Sequence, residues 1–258
     1  GDIPNVTQWS RLEGFAPGSG DVNIYRHTDN QGLWIGCLNR KPIGCIAGVR
    51  YNNSYGFIGL FLVLKEYRGN GYGLKLWKQA FQHLIDVPCI GLEAALDRVS
   101  DYSTWGFKSS STTTRWQLDG EDDFLLKNDD SFLQLGGLRI VEGKAIPKNV
   151  VQEYDANREP SPRPHFLSDW LDHPAGNVIA LLDNSGYCHG FGRIRPCLLQ
   201  KGKGWRIGPL IADSPALAQI LIRKLVNKHL GLVLIDVPGL NSNAEKLISN
   251  LGFKTVSK

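Results

Sequence analysis

Val63-Leu64-Lys65-Glu66-Tyr67-Arg68-Gly69-Asn70-Gly71-Tyr72-Gly73 closes one apolar run and opens an amphipathic one. Upstream of it, apolar segments over 33–38, 43–51 and 55–64 are separated by Asn39-Arg40-Lys41-Pro42 and Asn52-Asn53-Ser54. Such tight polar connections predict an antiparallel meander. Downstream, Leu74, Trp77, Phe81, Leu84 and Ile85 recur at helical spacing, which predicts a helix with one buried face. A strand that ends in a glycine-rich turn and opens a helix suits an anion. The first backbone N–H groups of a helix lack internal partners, and its dipole favours negative charge there. Gly69, Gly71 and Gly73 allow close approach of a phosphate, and Arg68 offers a charged donor.

Other readings of the turn compete. It can be purely structural. A dinucleotide fingerprint would read GxGxxG after the first strand of a parallel unit, whereas this turn reads GxGxG after a meander. Glu93, about twenty residues on, does mimic the ribose-binding acid of that fingerprint. A Walker A loop is excluded by the missing Gly-Lys-Ser/Thr.

The pattern continues with a strand over 89–92, a helix reaching Tyr102, then Gly106-Phe107 and a strand over 112–118. The second part of the chain repeats the order. Strands over 178–182 and 187–196 flank Asp183-Asn184-Ser185-Gly186, and a third strand covers 205–211. A helix carrying Leu217, Ile220, Leu221 and Leu225 follows, then a strand over 232–237 and a helix over 243–250 that runs into Gly252-Phe253. One α+β plan used twice is the expectation, each copy a mixed, mostly antiparallel sheet flanked by helices. The polar stretch around Gly120-Glu121-Asp122-Asp123 sets the expected division at 1–120, a linker at 121–135, and 136–258.

Composition narrows the partners. At 258 residues, with 42% hydrophobic and 21% charged residues, the chain carries apolar mass for two cores. The longest apolar run, 57–64, is far too short to span a bilayer, and the start Gly1-Asp2-Ile3-Pro4-Asn5 reads as no signal peptide. A net charge of +4 with scattered Lys and Arg argues against nucleic acid. Five cysteines without CxxC spacing read as reduced packing residues of a cytoplasmic protein, and six histidines show no metal or triad spacing. No metal is expected. The chain has no methionine, which points to a trimmed start or to methionines left out of the string.

The segment Val63–Gly73 resembles the central motif of the GNAT (Gcn5-related N-acetyltransferase) superfamily, with its Arg/Gln-x-x-Gly-x-Gly/Ala core. Tyr102-Ser103-Thr104-Trp105-Gly106-Phe107 is similar to the Tyr-x-x-x-Gly-Phe ending of the same fold. More narrowly, Glu13-Gly14-Phe15-Ala16-Pro17-Gly18, Pro42-Ile43-Gly44-Cys45-Ile46, Gly208-Pro209-Leu210 and Asp236-Val237-Pro238 resemble the two-domain YitH-like subgroup. The resemblance implies acetyl-CoA as co-substrate and direct acetyl transfer to a small primary amine or amino-acid-like acceptor. It places the cofactor on Leu62, Val63, Arg68, Gly69, Asn70, Gly71, Tyr72 and Gly73, with backbone N–H groups near Leu62 and Val63 polarising the acetyl carbonyl. Gly59 is the expected site of the strand distortion that opens the pantetheine slot.

Tyr102 stands where the family keeps its general acid, against the plain alternative of an aromatic packing residue. Glu93 is the best-placed base, ahead of Glu13, Asp97 and Asp101. Glu13, Phe15 and Asp236 are the candidate substrate-binding residues, and Asn241 is a weaker one. Two departures from the family pattern stand out: Ala95 replaces the usual cofactor-contacting Asn, and no first strand is evident before Trp9. In the second copy Ile211-Ala212-Asp213-Ser214-Pro215 replaces the glycine turn, and Ile248 stands at the tyrosine position. That copy is therefore expected to be degenerate and to complete the acceptor pocket. The rival expectation is an acetyl-CoA-binding regulatory protein without transfer activity. A third, transfer from charged tRNA, is disfavoured by the lack of a basic tract. The sequence leaves the oligomeric state open.

Overall fold

The computed structural model describes residues 1–119 and 136–257, so the expected linker lies outside the described residues. Helices α1 (Ile3–Leu12) and α2 (Asp21–Thr28) open the chain. Strands β1 (Leu33–Leu38), β2 (Lys41–Arg50) and β3 (Tyr55–Val63) then form the expected meander. Helix α3 (Tyr72–His83), β4 (Cys89–Leu92), the short α4 (Val99–Ser103) and β5 (Thr113–Leu118) complete the first part. After the linker come β6 (Arg139–Glu142), α5 (Lys148–Ala156), α6 (Pro164–Asp172), β7 (Asn177–Leu182), β8 (Cys188–Leu198) and β9 (Lys203–Ala212). The chain ends with α7 (Pro215–Val226), β10 (Val233–Pro238), α8 (Ser242–Asn250) and β11 (Lys254–Ser257).

The expected α+β class, with two mixed sheets flanked by helices, is what folds. One sheet runs β1-β2-β3-β4 and the other β11-β5-β10-β9-β8-β7-β6. In each, a single parallel pair, β3 with β4 or β9 with β10, interrupts otherwise antiparallel pairing. Helix α3 buries Leu76, Trp77 and Ala80 on the first sheet, with Ile46 and Ile58 beneath them. Helix α7 does the same on the second, through Ile220, Leu221, Ile222 and Leu225.

Two findings go beyond the sequence reading. Helix pairs α1–α2 and α5–α6 precede each meander, and β6 supplies a first strand that, among the described residues, the second copy alone shows. Strand β5, expected as the last strand of the first copy, lies instead between β10 and β11 of the second sheet. Its burial explains this. Leu118 is 1% exposed in the second core, and Arg115 faces Asp236 directly across the strand pair. A bidentate ion pair follows, with Arg115 Nε 2.7 Å and Nη2 3.1 Å from the two carboxylate oxygens.

The two halves meet in more places. Gly18 N donates to Asp21 Oδ2, whose carboxylate in turn receives Arg195 Nε and Nη2 at 2.8 and 2.9 Å. Both partners of that pair are buried. A Cβ on Gly18 would stand 2.2 Å from Arg195 Nε, so only glycine fits there. Arg206 donates to the carbonyls of Phe15 and Ala16, and Arg115 to that of Gly14. The 14–18 loop is thereby moulded by side chains of β5, β8 and β9. Tyr25 of α2 and Tyr51 pack on Phe166 of α6, adding an aromatic seam.

Candidate active site

Strand β3 is where the first sheet opens. It pairs with β4 from Tyr55↔Cys89 to Ile58↔Leu92 and then runs on alone to Val63. On its other side the register with β2 slips between Ala47↔Gly59 and Cys45↔Leu62, so that Leu60 and Phe61 face one residue, Ile46. Leu60 takes φ +49°, a left-handed conformation uncommon for leucine. The expected distortion is therefore present one residue further on than Gly59. Gly59 itself has no positive φ, and a Cβ there would meet only ordinary contacts. The bulge keeps the side chains sorted beyond it. Leu60 and Leu62 face α1 and α2, while Phe61 and Val63 face α3.

The glycine turn follows. Gly69 and Gly71 have φ +79° and +77°, with nothing within 4 Å of where a Cβ would stand. Asn70 Nδ2 ties the turn by donating to the carbonyls of Tyr67 and Arg68. Gly71 is the N-cap of α3, and no side chain caps the helix. Its first N–H groups are thus free of a side-chain acceptor, and Gly69, Asn70 and Gly71 are exposed. Lys65, Arg68 and Lys75 surround this end, all exposed. Arg68 donates through Nε to the Val63 carbonyl at 2.7 Å and pairs through Nη2 with Glu13 at 2.6 Å. Glu13 therefore sits on the rim of the turn as the partner of Arg68.

A cavity of about 410 Å³ begins at the bulge, with Ile58, Gly59 and Leu60 in its wall. The rings of Phe15, Tyr25, Tyr51, Tyr55 and Phe57 line it, and Glu93 and Glu159 bring carboxylates. Glu93 is exposed at the end of β4, and the Thr113 hydroxyl donates to it at 2.9 Å. Glu159 comes from the second half and pairs with Arg163 at 3.1 Å. Burial pushes its carboxyl above the ordinary glutamate range, against the opposing pull of Arg163. Burial likewise lifts the Tyr25 phenol to about 12, with Asp21 adding to the effect.

Tyr102 lies on α4, its ring 5.4 Å from that of Trp77 and 6.4 Å from that of Phe107. Burial raises its phenol above the usual value, and Asp101 adds to this, so the hydroxyl keeps its proton at neutral pH. Among the sequence candidates the structure brings Phe15 and Glu93 together in the cavity. Tyr102 joins the α3-side cluster with Phe61 and Val63. Asp236 lies in a neighbouring cavity, held between Arg115 and Arg206. Burial alone would raise its carboxyl, but the hydrogen bonds from Arg115 and the charge of Arg206 bring it below the usual aspartate range.

The residues the sequence reading passed over are Tyr25, Tyr51, Tyr55, Phe57 and Glu159. Tyr25 stands on α2, Tyr51 just after β2, Tyr55 and Phe57 on β3, and Glu159 after α5. That these residues converge on one cavity is a property of the tertiary fold.

The second copy keeps the opening and loses the anion seat. Strand β9 leaves β10 after Ile207↔Ile235 and slips against β8 around Gly208 and Pro209. Helix α7, however, is capped by its own Ser214, which accepts from Leu217 N, and begins with Pro215. Asp213 precedes it, engaged by the Tyr154 hydroxyl at 2.8 Å, Arg158 at 2.6 Å and His189 at 3.0 Å. A phosphate there would find the Leu217 N–H taken by Ser214, no N–H at Pro215, and a carboxylate facing it.

In the first half a mixed sheet thus splits at a bulge and leads into an uncapped glycine turn. An acetyltransferase (GNAT) family model matches residues 4–107, and an acetyltransferase (GNAT) domain model matches residues 151–258. The chain thus belongs to the GNAT acetyltransferase family, with one match in each half, and is an acyltransferase. Holothin acyltransferase of Pseudoalteromonas sp. (strain SANK 73390) is 25% identical over 259 residues, 97% of this chain and 81% of that protein. A provisionally described acetyltransferase from Pyrococcus horikoshii shares the fold with a TM-score of 0.76 at 23% identity, over 99% of this chain and 83% of that one. A tandem GNAT protein from the clavulanic acid biosynthesis pathway shares it at 0.63 and 13%, over 97% and 90%. Among the described residues no group of His, Cys, Asp and Glu could hold a metal ion, and no helix is long and apolar enough to cross a membrane.

Proposed function

We propose that this chain is an acetyl-CoA-dependent N-acetyltransferase acting on a small primary amine. Residues 1–120 would carry the transfer chemistry, and residues 136–258 would close the acceptor pocket. One observation carries the reading: the aromatic cavity opens at the Leu60 bulge of the strand that leads into the uncapped glycine turn. The pyrophosphate of the co-substrate belongs at the α3 N-terminus, on the backbone of Gly69 to Gly73. Arg68 and Lys75 contribute charge at the rim. The unpaired edge of β3 near Leu62 and Val63 belongs to the pantetheine and the acetyl carbonyl.

Glu93, oriented by Thr113, takes the proton from the acceptor ammonium directly or through water. The free amine attacks the thioester carbon, and backbone N–H groups at the bulge hold the oxyanion that forms. As the carbon–sulfur bond breaks, Tyr102 would give its phenolic proton to the departing thiolate, and the second proton shed by the acylated nitrogen would return through water to restore the phenol. Acceptor recognition falls to Phe15, Tyr25, Tyr51, Tyr55 and Phe57, whose rings favour a flat or apolar body over a highly charged one. Phe15 is the expected substrate residue best placed for this; Glu13 and Asp236 serve to hold Arg68 and the 14–16 loop. The acyltransferase from Pseudoalteromonas, named for holothin, makes a small-molecule acceptor a fitting choice here.

Thiol release from acetyl-CoA with a panel of primary amines tests the reading. The expected result is acceptor-dependent release favouring aromatic or apolar amines. Tight acetyl-CoA binding without release across the panel would favour a regulatory protein instead.

A further inference from the structure

A cavity of about 890 Å³ lies where β9 and β10 part in the second half. Its position corresponds to the slot between β3 and β4, yet its chemistry differs. Leu210, Ala218, Ile222, Val237, Leu247 and Ile248 form one apolar stretch of its wall, while Arg158, Arg195, Asp213 and Asp236 bring charge elsewhere along it. Pairing of β9 with β10 stops at Ile207. The Gly208 carbonyl is already taken by Trp170 Nε1 and Arg195 Nη1, and Pro209 has no N–H, so the backbone edge that β9 presents to the slot begins at Leu210. At its far end stands Asp213, and the cap of α7 is already filled by Ser214. A phosphorylated ligand is rejected there. At its near end the slot adjoins the aromatic cavity, because Tyr25, Glu93, Glu159, Arg163 and Arg206 line both.

We infer that this slot is the distal subsite for the acceptor. It takes the uncharged, apolar, amide-bearing body of an elongated amine whose nitrogen lies beside Glu93. This rests on the assignment of the aromatic cavity to the acceptor. The apolar stretch of wall supplies the driving force, and the edge of β9 from Leu210 supplies donors and acceptors for an amide in the ligand, as in strand addition. The degenerate copy has kept its opening for this use, while the loss of its anion seat excludes a second coenzyme.

Glycine n-propylamide and glycine n-hexylamide, which share one amine and one amide and differ by three methylenes, test the inference on the full chain. Binding is measured by calorimetry and turnover by thiol release. Burial of a methylene tightens binding about three- to fourfold, so the hexyl compound should bind about 30- to 60-fold more tightly than the propyl compound. Ala218→Phe, or the milder Ala244→Leu, fills the slot and should erase that difference, with both variants retaining wild-type circular dichroism. Equal affinities of the two compounds for the wild type would overturn the inference. So would a length dependence that survives both substitutions. Length-dependent binding erased by the variants, but without thiol release, would leave the subsite standing and remove the acetyl-transfer reading.

Discussion

Gly18 shows how a single residue can hold two halves together. Any side chain there enters the space of the buried Arg195–Asp21 pair. Breaking a buried pair typically costs about 3–5 kcal/mol, since an unpaired charge remains in the interior. Gly18→Ala should lose roughly that much in urea unfolding, whereas Gly69→Ala, with open space around it, should lose only about 1–2 kcal/mol from its positive φ. At Tyr102, replacement by Phe keeps the packing on Trp77 but removes the proton donor. Turnover should fall by about 100-fold or more with little change in acetyl-CoA affinity. Unchanged turnover would make Tyr102 a packing residue.

Glu159 offers a pH test. Its folded pKa is raised, so between the ordinary glutamate value and the raised one the folded chain holds a proton that the unfolded chain has released. Stability therefore falls as pH rises through that window, and it is unaffected by this group below it. Glu159→Gln should remove that fall: the difference in unfolding free energy should shift toward the variant as pH rises above the glutamate range. A constant difference across pH would contradict the burial argument.

At the scale of elements, the local signals were readable and the non-local ones were not. The meander, the glycine turn and α3 follow from turn residues and from the spacing of Trp77 and its neighbours, all within a few residues of each other. The bulge was anticipated at Gly59 because glycine tolerates distortion. It fell on Leu60 because the slip is set by how β2 and β4 grip β3 on its two sides, and Leu60 is anchored among Val6, Val22 and Leu62. Strand β5 reads as a plain strand in sequence. Its place between β10 and β11 depends on Asp236, more than a hundred residues away, facing Arg115. The aromatic cavity is legible in the sequence only through Phe15 and Glu93, since its remaining rings come from three separate parts of the chain and Glu159 from the other half.

On the scale of the whole molecule, the proposed function divides the work between two copies that keep different parts of one plan. The first retains the uncapped glycine turn and Tyr102; the second retains the opening, fills the helix cap and lends β9 and α6 to the proposed acceptor side. Residues 1–119 alone would leave β5 without partners on either side and would expose Leu118 and the seam of Tyr25 and Tyr51. That fragment should aggregate or fail to show the cooperative unfolding of the full chain. A soluble fragment with full turnover on the same acceptor would contradict this division. The most direct measurement is calorimetric titration of the full chain with coenzyme A, alone and with Gly71→Asp, a change that sets a carboxylate at the α3 N-terminus. One site per chain, weakened at least 100-fold by the substitution while circular dichroism stays unchanged, is the predicted result. Two sites per chain, or an affinity indifferent to Gly71→Asp, would contradict the assignment of the coenzyme to the first glycine turn.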